Sequence, residues 1–135
     1  MATAKKILGQ LDGSSSWQIL YKVPRKNESV FQTREERVRR AIVANVIFCN
    51  RGFQYSAAYS IRVVPNGETA DFQHIIVDEK ALPAVYTGSS WVTGSANSDL
   101  VSLNITLEAG DRVDVKTSGS FPTFVAINAF GAEIF

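Results

Sequence analysis

The sequence predicts an all-β fold: a single antiparallel β-sandwich of jelly-roll type, with about eight strands and little helix. Three observations lead there. Short runs of alternating apolar and polar residues recur along the 135-residue chain, each bounded by Gly, Pro, Asn or Asp. No segment has the pattern of a long amphipathic helix. One run, Arg40 to Cys49, is apolar on both alternating faces, as a strand in the middle of a sheet must be.

That central run is rich in β-branched and aromatic residues, which suit a pleated surface. Strict alternation places Ile42, Ala44, Val46 and Phe48 on one face and Ala41, Val43, Asn45, Ile47 and Cys49 on the other. Asn50-Arg51-Gly52 is expected to end the run in a tight turn, because Asn and Gly tolerate positive φ.

The other elements follow in order. Residues 1–16 read as a short N-terminal arm and a Ser-rich loop. Trp17 to Val23 alternates, with Trp17, Ile19, Tyr21 and Val23 on one face, and Pro24 stops it. Residues 25–40 are a charged insertion, in which Thr33 and Glu36 have the spacing of a helix-capping box. Tyr55 to Val64 alternates again and ends at the turn signal Pro65-Asn66-Gly67. Phe72 to Asp78 is a strand containing His74, and Pro83 confines Lys80 to Tyr86 to a sheet edge or an extended loop. A polar loop from Thr87 to Asp99 carries one large apolar residue, Trp91. Strands Leu100 to Leu107, Arg112 to Thr117 and Phe121 to Phe130 complete the set, with residues 131–135 docked behind them. Asp111, in Glu108-Ala109-Gly110-Asp111, reads as a turn former. The whole chain is expected to be one domain.

Composition narrows the function classes. A net charge of +1 gives no general attraction to nucleic acid or an anionic membrane, and neither is an expected partner. No apolar stretch approaches the ~20 residues that span a bilayer. No apolar signal core follows Lys5 and Lys6, so folding in a cytoplasm is expected. Cys49 is the single cysteine, which excludes an intrachain disulfide; a small buried side chain is expected there. His74 is the single histidine, so a multi-histidine metal site is impossible. No Gly-x-Ser-x-Gly elbow and no phosphate-cradling glycine loop occurs. The sequence therefore leads to the expectation of no catalytic residue, no metal and no cofactor. What remains is contact chemistry. Arg25, Arg34, Arg37 and Arg39 form either a solvated loop or a surface for an acidic partner, and Trp91 can anchor an interface. Trp91 with Tyr55 and Tyr59 could alternatively form an aromatic platform for sugars.

Several short motifs occur in a telling order. Lys6-Ile7-Leu8-Gly9-Gln10 opens the chain, Leu20-Tyr21-Lys22-Val23-Pro24 follows, and then Val46 to Gly52 and Ile61-Arg62-Val63-Val64-Pro65. His74-Ile75, Ile105 to Asp111 and Phe130-Gly131-Ala132-Glu133-Ile134 close the series. In this order the chain resembles a family of small β-sandwich virion structural proteins of tailed bacteriophages. The resemblance covers nearly the whole chain and departs from the family in the insertion after Pro24 and in a longer loop before Ser98. It implies a non-enzymatic, multicopy component of a capsid surface, neck or tail. Such a component would be assembled in the host cytoplasm and would contact other virion proteins and further copies of itself.

Overall fold

The computed structural model describes residues 3–24, 40–51, 55–84, 86–87, 90–91 and 97–134. Along them run β1 (Thr3–Asp12), β2 (Gln18–Lys22), β3 (Arg40–Asn50), β4 (Ala57–Val64) and β5 (Ile75–Leu82). These are followed by β6 (Tyr86–Thr87), β7 (Ser90–Trp91), β8 (Ser98–Glu108), β9 (Arg112–Gly119) and β10 (Val125–Ile134). Two four-stranded antiparallel sheets form, ordered β1-β10-β3-β8 and β2-β9-β4-β5, and β6 and β7 make a separate small hairpin. The eight long strands change sheet at every connection except β4–β5, which gives a jelly-roll sandwich.

β3 lies inside its sheet, between β10 and β8, as its two-faced apolarity requires. Its alternation is not strict. Against β10, Val43 and Asn45 face the adjacent residues Gly131 and Phe130, so β3 has an extra residue there; Ala41 and Val43 point inward before it and Val46, Phe48 and Asn50 after it. One extra residue exchanges the two faces. Cys49 consequently sits on the outer face, partly exposed, rather than in the core as expected. β2 slips likewise between Ile19 and Tyr21, which leaves Ile19 exposed while both Leu20 and Tyr21 are buried.

Three other expectations are corrected by local geometry. Residues 3–12 are not an arm; they form edge strand β1, paired with β10 along its length. Phe72–His74 is a 3-10 turn capped by the Asp71 side chain, and strand β5 starts only at Ile75. Pro122–Phe124 is a second such turn, so the last strand starts at Val125 and runs through Gly131 to Ile134.

The core lies between the sheets. Phe48 of β3 and Tyr59 of β4 stack at its centre, with ring centroids 4.0 Å apart, and Val43, Val46, Ile61, Val113, Val115 and Ile127 pack around them. Two tyrosines tie the sheets together. The Tyr21 hydroxyl donates to Glu133 at 2.6 Å, and the Tyr59 hydroxyl donates to Asp99, which Lys80 also contacts at 2.9 Å. Both phenols are pushed above their ordinary value, first by burial and then by the carboxylate each one meets.

Candidate functional site

Connections converge at both ends of the sandwich. At one end, Val23 exchanges backbone hydrogen bonds with the β8–β9 turn: its N–H donates to Asp111, and Gly110 donates to its carbonyl. Asp111 is the turn former expected, its carboxylate accepting from the N–H groups of Glu108 at 2.9 Å and Asn66 at 2.8 Å. At the other end the described parts of the β1–β2, β3–β4, β5–β8 and β9–β10 connections meet, and that end carries the candidate site.

Asn50 organises it. This residue is buried at the end of β3, and its side-chain amide donates to the carbonyls of Tyr55 at 2.8 Å, Pro83 at 3.2 Å and Leu82 at 3.3 Å. Its backbone N–H donates to Asn97, just before β8, at 2.7 Å. One side chain thus fastens the start of β4, the end of β5 and the start of β8 to the sheet. Its φ is not positive, so it is a buried brace and not the turn residue expected.

Arg51 binds the next connection. Its N–H and its Nε both donate to the Phe124 carbonyl, at 3.0 and 3.3 Å, and its Nη2 reaches Asp12 at 3.1 Å. The β1–β2 loop closes the far side. Gly13 donates to Val125 at 2.8 Å, and the buried Thr117 hydroxyl donates to Pro122 at 2.9 Å. A Cβ on Gly13 would lie 2.3 Å from that same Pro122 carbonyl, so no larger residue fits there.

On this braced base stand three aromatic rings. Phe121 and Phe124 stack at 5.0 Å with planes 9° apart, and Tyr55 tilts against Phe121 at 4.5 Å. They are 40%, 42% and 45% exposed respectively. Aromatic rings left half in water on a rigid backbone suit an interface, because burying them costs little ordering entropy and gains large apolar area. Strand alternation alone does not reveal Phe121 and Phe124. The signal for them is Pro122, which favours the first position of a helical turn over a paired strand.

The residues singled out from the sequence are distributed as follows. Arg25, Arg34, Arg37 and Arg39 lie outside the described residues. The positions flanking them, Val23 and Arg40, are at the Asp111 end, where Arg40 pairs in register with Glu108. Trp91 lies on β7, in register with Tyr86, within the connection that leaves and returns at Asn50. Tyr59 is 1% exposed and belongs to the core, so it cannot serve as a sugar platform; Tyr55 is exposed. His74 is structural: its Nδ1 accepts from the Asp71 N–H at 3.0 Å. Among the described residues no group of three His, Cys, Asp or Glu side chains is placed to hold a metal ion.

The outer faces of the two sheets differ sharply. On the β2-β9-β4-β5 side, buried Asp114 accepts from Arg62 Nε at 2.8 Å and Arg112 Nε at 3.0 Å. Trp17 covers the Arg62 guanidinium at 4.3 Å and the Lys116 ammonium at 5.1 Å. Trp17 therefore lies over the outside of that sheet rather than in the core face its alternation predicts. The opposite sheet carries Arg40 and Glu108 at the Asp111 end of its outer face, and the rest of that face is dominated by Ile7, Ile42, Ile47, Leu100 and Phe130 pointing outward. No family model, curated protein or solved structure matches this chain.

Proposed function

We propose that this protein is a non-enzymatic structural component of a tailed-bacteriophage particle, present in many copies, that stabilises the capsid surface, neck or tail through protein–protein contacts. The observation that carries this reading is the braced aromatic end. Tyr55, Phe121 and Phe124 expose ring surface from a base fixed by Asn50 and Arg51, which is the arrangement of an adhesive patch. The resemblance of the ordered motifs to small virion proteins supports the same reading, and so does the jelly-roll sandwich, an architecture common in capsid proteins. The partners are other virion subunits and further copies of the chain. The arginine-bearing residues 25–40 would meet an acidic neighbour.

The test is incorporation. The protein should be found in purified particles at a fixed high copy number. Replacing Phe121 and Phe124 together by Ser should leave the isolated domain folded, since both rings are already partly in water, and should reduce its incorporation several-fold. Absence from particles, or full incorporation of the double variant, would count against the reading. A carbohydrate-binding role is the alternative, favoured by the exposed Tyr55 ring near the connection that carries Trp91. In that case the double variant would keep its place in particles, and Tyr55→Ala would abolish glycan binding.

A further inference from the structure

The outer face of the β1-β10-β3-β8 sheet is uncharged across its middle, its end row carrying Arg40 and Glu108, and it has a structural counterpart in the same molecule. The other outer face carries Arg62, Arg112, Asp114 and Lys116, so the fold itself tolerates charge at such positions. On the first sheet, four successive cross-strand rows run from Lys5–Ala132–Ile42–Thr106 to Asp12–Ala126–Cys49–Ser98. The only charged residues in these rows are Lys5 and Asp12, both on edge strand β1, and Asp12 is paired with Arg51. The face is otherwise built of apolar side chains and neutral hydrogen-bonding groups. Ile7 is 49% and Leu100 56% exposed, while Gln10 donates to Asn128 at 2.9 Å and Ser102 to Asn45 at 3.3 Å.

We infer that this face pairs with the same face of a second copy about a two-fold axis. Charge is the first reason. In a two-fold contact every residue near the axis meets its own duplicate, so a charge there repels itself, whereas amides and hydroxyls both donate and accept. A face free of charge along its centre is complementary to itself. Area is the second reason. Four strands at ~4.8 Å spacing and about nine residues at ~3.4 Å give roughly 600 Å² per subunit, or about 1,200 Å² in all. Specific interfaces begin near ~1,200 Å². Relief is the third. A shallow hollow runs along β1 and β10 beside Gln10 and Asn128, and Leu100 projects from β8 at the opposite edge of the same row. A two-fold parallel to the strands lays β8 of each copy over β1 of the other, so that each Leu100 seats at the other's hollow. Cys49 and Ala126 are then covered together. This inference does not depend on the virion reading.

Analytical ultracentrifugation of the wild-type protein should show a monomer–dimer equilibrium with a dissociation constant in the micromolar range or tighter. Leu100→Glu, and separately Ile7→Glu, should weaken it at least ~10-fold, while far-ultraviolet circular dichroism and the urea midpoint of protein dilute enough to be monomeric stay unchanged. Ile19→Glu, at an equally exposed position on the charged sheet, should leave it intact. Alkylation of Cys49 should slow as wild-type concentration rises, and should not slow for Leu100→Glu. A wild type that stays monomeric to millimolar concentration would overturn the inference. So would a dimer broken by Ile19→Glu but not by Leu100→Glu or Ile7→Glu, or one in which Cys49 reacts as fast as in the monomer.

Discussion

Asn50 and Gly13 show how much of this site depends on single atoms. The Asn50 amide serves three carbonyls that belong to two different connections. Truncation to Ala leaves those carbonyls without their donor and should cost about 1–3 kcal/mol, measured as a shift in urea unfolding. Asn50→Asp should cost more than Asn50→Ala, because it points a lone pair at oxygens that need a donor. Gly13→Ala should also destabilise, since its methyl would collide with the Pro122 carbonyl and the Thr117 hydroxyl. Neither role is legible in the sequence. Asn before Arg-Gly resembles turn chemistry, and what makes Asn50 a brace is the approach of Tyr55, Leu82 and Pro83, which only the folded sheets bring about. Asp111 is the contrary case. Its partners lie three residues away and on the adjoining turn, so local chemistry was enough to assign it.

The strands were legible as elements, and the errors share one cause. Apolar alternation located β3, β4, β8 and β9; in β8 it puts Val101, Leu103, Ile105 and Leu107 on one face, which is the one packed on the core. Alternation fails where a bulge inserts a residue, as in β2 and β3, because a one-residue slip exchanges the faces and leaves no mark in composition. Cys49 reports the β3 bulge directly. In dilute protein its thiol should react with a water-soluble alkylating reagent under native conditions, without waiting for global unfolding. A reaction rate equal to the unfolding rate would mean that the thiol points inward. The aromatic end was partly legible. Tyr55 could be named from the sequence, but Phe121 and Phe124 were hidden in what reads as a continuous strand, and the separation of the two outer faces by charge appears only once the register is known.

At the scale of the whole molecule, the sandwich is held by its core and by two tyrosine–carboxylate bonds that cross between the sheets. Asp99 gives one of them a pH signature. The hydrogen bond from Tyr59 holds its carboxyl below the ordinary value, burial opposes this, and Lys80 adds to the lowering. A carboxyl depressed in the folded state contributes stability above its unfolded value of roughly 3.9 and loses it as pH falls through the folded value. The urea midpoint should therefore be flat from neutral pH to about 5 in respect of this group and fall below about 4. Asp99→Asn should be less stable at neutral pH and should show a shallower acid dependence than the wild type. The fold class could be read from the sequence because turn signals and strand patterns are local. The sheet order could not, because it depends on which distant strands pair.

The place of β10 also bears on how the chain acquires its structure. The last strand of the fold lies between the first and the third, so β1 has no partner within its sheet until β10 arrives. A nascent chain can pair β3 with β8 and β4 with β9 as it emerges, but it must hold β1 unpaired until residues 125–134 have been made. Closure of this sheet is thus deferred until β10 has been made. Pairings so distant in sequence fold slowly, on a timescale of about milliseconds to seconds. A ribosome stalled before residue 125 would carry exposed β1 and β3 edges that β10 would cover, and would be far more open to protease than a chain that includes β10.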